Sequence, residues 1–375
     1  MPAKEMALPC MECNNAEAAV TTRSRSLCGP CYQRFLNYKV VRRMEKYRGP
    51  KDLAKSSVPT ARLLLPLSLG ASSSVLLHML DKALARQLAK TSRTSYVLEI
   101  MVVEPSTISS DQASCDTQFD KVREAFPNHS FKRVPLDSIF EYVPDMAELM
   151  RNYAGPQFID DDAKSNEERL AAFRGAVSSA TSKADLDTVL FTRLAVGYAK
   201  HTACESILWG DSDTSLAAKV LAGAAKGRGA SLTWQVSDGM SPWGVTFDFP
   251  CRDLSKPELL SYVSVCPELS EVVIPDRPLS DNILTKNLSI DELMLRYVTT
   301  QGEKYPGVMA NVSRTAHKLH STSEHGDGNL CALCGGLVEN VRGNEDGITV
   351  TGQFATENPR FCYGCMRSRP DTVLN

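Results

Sequence analysis

Eight of the twelve cysteines fall into four C-x-x-C pairs. Cys10 and Cys13 are separated from Cys28 and Cys31 by a gap of 14 residues, and Cys331 and Cys334 from Cys362 and Cys365 by a gap of 27. Two such knuckles brought together present four thiolates in a tetrahedron, the donor set of a closed structural zinc site. The first spacing is close to that of a zinc ribbon. The second needs a longer excursion, for which Gly335, Gly336 and the stretch Gly343 to Gly347 supply turn residues. Gly29 and Gly364, inside the second knuckles, are expected to help the backbone turn so that its amides point at sulfur. A single C-x-x-C reads equally well as a redox pair or as buried thiols. Four of them, in two sets of two, read as two structural zinc ions. His317, His320 and His325 precede the second set, but four cysteines already fill its coordination sphere. The isolated Cys115, Cys204, Cys251 and Cys266 read as small core residues.

A second feature is a small-residue turn. The apolar run Leu63 to Leu67 leads into Ser68-Leu69-Gly70-Ala71-Ser72-Ser73-Ser74 and then a helical pattern. A turn of this kind from a strand into a helix N-terminus cradles anions, because free backbone amides and the helix dipole both face the ligand. It lacks the Gly-Lys-Ser/Thr ending of a Walker A loop. Many α/β proteins carry such a turn, so it does not identify a ligand by itself.

The third feature is charge. From Thr21 to Lys55 the basic residues are Arg23, Arg25, Arg34, Lys39, Arg42, Arg43, Lys46, Arg48, Lys51 and Lys55. The acids there are Glu45 and Asp52, a local excess of eight positive charges in a chain of net charge −2. A field of that sign suits a polyanion. A solvated basic helix surface is the plainer alternative. The helix predicted over Tyr32 to Tyr47 carries Phe35, Tyr38, Val41 and Met44 as its expected core-facing stripe. Lys39, Arg42, Arg43 and Lys46 are then left outside as candidate nucleic-acid contacts.

These features must be positioned by a globular framework. The chain has 375 residues, 43% hydrophobic and 23% charged, ample for a sizeable core. No apolar run approaches the roughly 20 residues of a membrane helix, and Met1 to Pro9 lacks the pattern of a secretory signal. A reducing, cytoplasmic setting without membrane contact is expected, with the cysteines as thiols or metal ligands.

Between residue 60 and about 275, strand and helix patterns alternate. Strands are expected at Leu63 to Leu67, Tyr96 to Val103, Phe131 to Pro135 and Ser206 to Trp209. Helices are expected at Ser72 to Leu88, Phe119 to Phe126, Leu186 to Thr202 and Ser215 to Ala225. Alternation of this kind implies an α/β fold with a parallel sheet covered by helices on both faces. The expected domains are a zinc module with its basic helix (1–50), an α/β domain (51–288), and a helical segment with a second zinc module (289–375). The polar stretch 155–183 reads as a mobile insertion, a surface helix or a lid.

The order of these features resembles the PP-loop ATP pyrophosphatases that thiolate tRNA. Their loop reads S-G-G-x-D-S; here it is Ser68-Leu69-Gly70-Ala71-Ser72-Ser73. Their second signature, G-H-N-x-D-D-x-A-E-T, corresponds to Gly210-Asp211-Ser212-Asp213-Thr214-Ser215-Leu216-Ala217-Ala218-Lys219. Leu69 replaces the first loop glycine and is expected to crowd a pyrophosphate. Ser72 stands where active enzymes have Asp, and Thr214 and Ser215 stand where they have an Asp pair. Active members also carry a C-x-x-C before the helix leading to the second signature, whereas no cysteine occurs from Asp116 to Ala203. These departures match one branch, the non-catalytic subunits of the eukaryotic cytoplasmic tRNA 2-thiolation complex. Gly227-Arg228-Gly229 before an expected strand, Pro250 to Leu254 opening a helix, and Arg314 to Leu319 also match. The resemblance implies a Rossmann-like PP-loop domain flanked by the two four-cysteine zinc modules.

It further implies a heterodimer with a catalytic PP-loop subunit. Together the two would 2-thiolate the wobble uridine of tRNAs for Lys, Glu and Gln. ATP and a thiocarboxylated ubiquitin-like sulfur carrier would supply the chemistry. In this chain the loop residues Ser68, Gly70, Ser72 and Ser73 would form a degenerate cofactor site with weak or lost ATP binding and no catalytic residue. Two other readings stay open on sequence: an active PP-loop sulfurtransferase with unusual ligands, and a zinc-ribbon adaptor without a role in tRNA chemistry.

Overall fold

The computed structural model describes residues 8–47, 60–104, 112–276, 288–319, 330–338 and 361–370. A short hairpin, β1 (Val20–Thr22) and β2 (Arg25–Leu27), is followed by helix Gly29–Arg43. Pro30 at the start of that helix fixes the first turn where no intrahelical donor is needed. The main sheet has six strands: β3 (Ala61–Pro66), β4 (Tyr96–Glu104), β5 (Ser130–Pro135), β6 (Ser206–Leu208), β7 (Gly239–Met240) and β8 (Thr246–Asp248). Their spatial order is β5-β4-β3-β6-β8-β7. All neighbours are parallel except β7 against β8.

The central strand explains the continuous apolar run. Leu63, Leu64 and Leu65 are all fully buried, because β3 has a strand on each edge and packed layers on both faces. Successive side chains point to opposite faces. Leu63 and Leu65 join one core with Leu98, Val102 and Leu208, whereas Leu64 joins the other with Met101, Ile207 and Phe247. Helices Ala71–Thr91 and Lys256–Ser264 cover the first face, and helix Ala180–His201 covers the second. The cysteine sets divide the same way. Cys10, Cys28 and Cys31 belong to the first core, and Cys331, Cys334, Cys362 and Cys365 to the second.

The polar stretch 155–183 contains a surface helix, Asn166–Gly175, opened by a capping box in which Ser165 and Glu168 exchange hydrogen bonds. Leu170 and Phe173 anchor it in the second core, so part of the stretch is a surface helix. The segment after Gly227-Arg228-Gly229 is not the expected strand: it enters a 3-10 turn, Gly229–Ser231, and helix Leu232–Gln235. Helices Ile290–Lys304 and Pro306–His317 pack on helix Asp213–Ala225 through Val298, Met309, Ala217 and Ala218. Among the described residues, no helix is long and apolar enough to cross a membrane.

Candidate functional site

The strand order reverses beside β3, which has β4 on one side and β6 on the other. Such a switch point opens a crevice beyond the C-terminal strand ends. A cavity of about 360 Å³ lies there. Ser68, Gly70, Ser72 and Ser73 from the first signature line it, with Gly210, Asp211, Ser215 and Lys219 from the second. Two stretches far apart in sequence thus share one site. Ser68 and Ser73 close the loop, their Oγ atoms 2.9 Å apart. Ser72 Oγ is enclosed without a hydrogen-bond partner among the described residues.

Leu69 has φ +60°, the left-handed region that favours glycine, and the resembling enzymes have glycine at this place. Its side chain is 2% exposed and packs in the first core, away from the cavity. The expected crowding of a bound phosphate is therefore not realised. Thr214 also turns away: its Oγ1 accepts a hydrogen bond from the Lys256 backbone amide at 3.1 Å. Ser215 is the member of that pair facing the cavity.

The polar wall is electrically closed. Lys219 pairs with Asp211 at 2.7 Å, Lys256 with Asp276 at 2.8 Å, and Lys226 with both Asp185 and Asp291 at 3.0 and 2.7 Å. Arg228 pairs with Asp185 at 2.5 Å. Burial works against the charged form of Asp185, yet Arg228 and Lys226 hold its carboxyl below the ordinary carboxylate value. Sequence reasoning missed Asp185, Lys226, Asp276 and Asp291 as cavity residues. In the sequence, Arg228 stands out solely as part of the Gly227-Arg228-Gly229 tripeptide. The apolar wall includes Trp209, Trp234 and Phe247, and the indole Nε1 of Trp209 has no hydrogen-bond partner among the described residues.

Both cysteine sets come together, each with four sulfurs within 4.8 Å of one another. Four thiolates around a tetrahedral zinc at about 2.3 Å would stand about 3.8 Å apart. Cys13 and Cys28 Sγ are 3.8 Å apart, and Cys334 and Cys362 Sγ are 3.5 Å apart, so both sets fit such an ion. Cys28 and Cys362 each occupy the N-cap position of a helix, where free amides and the dipole favour a thiolate. Gly336 N donates to Cys334 Sγ at 3.4 Å, and Gly335 takes φ +67° to shape that knuckle. Gly29 and Gly364 are not the turn residues expected; neither has positive φ. Gly364 serves a different need, since a Cβ there would lie 2.6 Å from Cγ of Arg228. His317 lies against Arg252, its Nδ1 3.1 Å from Nη1; His320 and His325 fall outside the described residues.

The basic helix packs differently from its expected stripe. Tyr32, Leu36, Val40 and Met44 are buried, whereas Tyr38 is 66% exposed. A three-residue spacing drifts backwards by roughly 60° per step around a helix, so four such positions spread over half its circumference. The four-residue spacing drifts less and stays on one face. With the helix so turned, Lys39 lies 3.8 Å from Glu258, and Arg43 pairs with Asp253 at 2.6 Å and with Asp238 at 3.1 Å. Lys46 and Tyr47 both bond Asp248. Of the four candidate contacts, Arg42 faces solvent without such a partner among the described residues.

A family profile described as cytoplasmic tRNA 2-thiolation protein 2 matches residues 289–360. A relative of that name from Neosartorya fischeri is 52% identical over 99% of both chains. The chain belongs to the cytoplasmic tRNA 2-thiolation protein 2 family. Other members similar to it come from Aspergillus clavatus, 48% identical over 99% of both chains, and Coccidioides immitis, 41% identical over 97% of this chain and 98% of that one. Among solved structures, the U34-tRNA thiolase NcsA from Methanococcus maripaludis, determined with its 4Fe-4S cluster, superposes with a TM-score of 0.57. It is 16% identical and covers 88% of this chain and 92% of its own. That likeness shows the fold: the parallel sheet with its crevice beside β3 is the PP-loop architecture. In the family member described here, the cysteines outside the two sets that are described, Cys204, Cys251 and Cys266, are buried and none lines the cavity.

Proposed function

We propose that this chain is the non-catalytic subunit of a heterodimeric tRNA thiolase. It serves 2-thiolation of the wobble uridine in cytoplasmic tRNAs for Lys, Glu and Gln. The catalytic PP-loop partner adenylates the uracil oxygen with ATP, and a thiocarboxylated ubiquitin-like carrier delivers the sulfur. The observation that carries the reading is the cavity itself. Both signatures still meet there, but Ser72 and Ser215 face it where magnesium-binding acids are needed, and its cations are neutralised by internal carboxylates. The absence of a cysteine from the described wall supports the same reading, since sulfur transfer then has no thiol to use.

In this reading each cysteine set holds one zinc ion, whose binding supplies folding energy. Arg42 contacts the tRNA backbone. Lys39, Arg43 and Lys46 add to the positive field while fastening the helix to the α/β unit.

The test is turnover by the purified chain with ATP and tRNA, alone and with its catalytic partner. Thiolation and pyrophosphate release are expected with the partner alone supplying the active site. Steady pyrophosphate release by the isolated chain, abolished by Ser73→Ala, would favour an active enzyme instead. Binding without preference for tRNA over other polyanions would favour a zinc-ribbon adaptor.

A further inference from the structure

The two four-cysteine clusters sit in different electrostatic surroundings. A divalent ion held by four thiolates carries a net charge of about −2, which is costly to bury without a counter-charge. At the N-terminal cluster, Arg34 donates to Cys31 Sγ at 3.5 Å, but its side chain is 66% exposed and is shared with Glu12. Three of its cysteines are buried, but Cys13 is partly exposed, so solvent reaches that centre on one side. At the C-terminal cluster all four cysteines are buried, and the cation beside them is Arg228, itself 5% exposed.

Arg228 is built into that cluster. Its Nη1 and Nη2 lie 3.6 and 3.5 Å from Cys365 Sγ, and Nη1 lies 3.9 Å from Cys362 Sγ. On its other edge Nε donates to Asp185 at 2.8 Å. Asp185 also accepts from Ser368 Oγ at 3.0 Å, three residues beyond the last cysteine. Glycines make the approach possible. A Cβ on Gly364 would meet the Arg228 chain at 2.6 Å, one on Gly227 would meet the Tyr363 ring at 2.5 Å, and one on Gly336 would meet Ser231 Oγ at 2.5 Å. The same Arg228, Asp185 and Lys226 form part of the cavity wall.

We propose that Arg228 is the buried counter-charge of the C-terminal metal centre, and that through Arg228 and Asp185 the occupancy of that centre sets the cavity wall. Arg228 is a positioning residue: it orients ligand sulfurs and a carboxylate without taking part in chemistry. With the ion present, the guanidinium lies between two anions. With the ion withdrawn and the sulfur geometry released, it keeps Asp185 alone, and the segment 226–235 loses its attachment to the cysteine module. This inference is independent of what the cavity binds.

The experiment uses the full-length, metal-loaded chain. Zinc release to a chromophoric chelator should show two phases, assigned by the loss of one in Cys28→Ser. Arg228→Met should accelerate the C-terminal phase about 10- to 100-fold, the usual effect of removing an outer-shell partner. It should leave the N-terminal phase unchanged, and Arg228→Lys should fall between. In unmutated protein, withdrawing the C-terminal ion should speed backbone hydrogen exchange across residues 222–235. An unchanged C-terminal phase in folded Arg228→Met overturns the counter-charge assignment. Unaltered exchange at 222–235 after ion withdrawal overturns the coupling to the cavity, and this arm needs no variant to fold.

Discussion

A Cβ added to Gly210 would lie 2.8 Å from the Cα of Ser73. The first residue of the second signature therefore rests directly on the loop of the first. The glycine is required by close approach, not by a left-handed backbone. Gly210→Ala should force the loop and β6 apart and destabilise the fold by about 1–3 kcal/mol, the usual cost of overpacking. Chemical denaturation measures this; an unchanged midpoint would show that the contact yields freely.

Two metal ions per chain are expected, both zinc. Elemental analysis of unmutated protein should give about two equivalents, and Cys28→Ser and Cys334→Ser should each lower that to about one. Because zinc binding is largely folding energy at such sites, Cys28→Ser should also loosen helix Gly29–Arg43. Protein purified without chelators yet free of zinc would refute the assignment.

The turned helix makes the proposed tRNA contact separable from docking. Arg42→Glu should weaken tRNA binding by the assembled complex and flatten its log–log salt dependence by roughly 0.7 to 0.9 per lost phosphate contact. Arg43→Glu instead places a carboxylate beside Asp238 and Asp253 and should lower stability of the chain itself. If Arg42→Glu leaves tRNA affinity intact while the heterodimer dissociates, the helix is a protein interface.

Glu258 fastens the N-terminal module to the α/β unit. It accepts from Thr22 at 3.2 Å and pairs with Arg23 at 2.8 Å. Burial opposes its charge, but the Ser255 amide, Lys39 and Arg23 hold its carboxyl below the ordinary value. A depressed folded value means the unfolded chain binds the proton more readily. The stabilisation is therefore complete above the ordinary glutamate value of about 4.3 and is lost as pH falls through the lower folded value. Glu258→Gln should cost about 1–3 kcal/mol at neutral pH, and the gap to the parent should narrow on acidification. A gap that stays constant down to pH 3, about the limit of the window, would show that the charge contributes nothing.

What the sequence determined by itself was local. C-x-x-C spacing defined both ligand sets, because a knuckle is closed within a few residues. The apolar run Leu63 to Leu67, followed by small residues and a helical pattern, defined the central strand and its anion-binding turn, because side-chain period and turn chemistry are written over about ten residues. Tertiary structure decided what those elements face. Apolar period placed one side of the basic helix on the core, but the stripe it named, Phe35, Tyr38, Val41 and Met44, is rotated from the buried one, Tyr32, Leu36, Val40 and Met44. Rotation by part of a turn set Arg43 against Asp253 and Lys46 against Asp248, acids 210 and 202 residues away. Leu69 was legible as an odd residue in the loop, yet its backbone angle sends the side chain into the core and not into the cavity. Arg228 carried no local signal for its place 137 residues from Cys365. A buried charge takes its partner from whatever the fold brings beside it, and that pairing has no period along the chain.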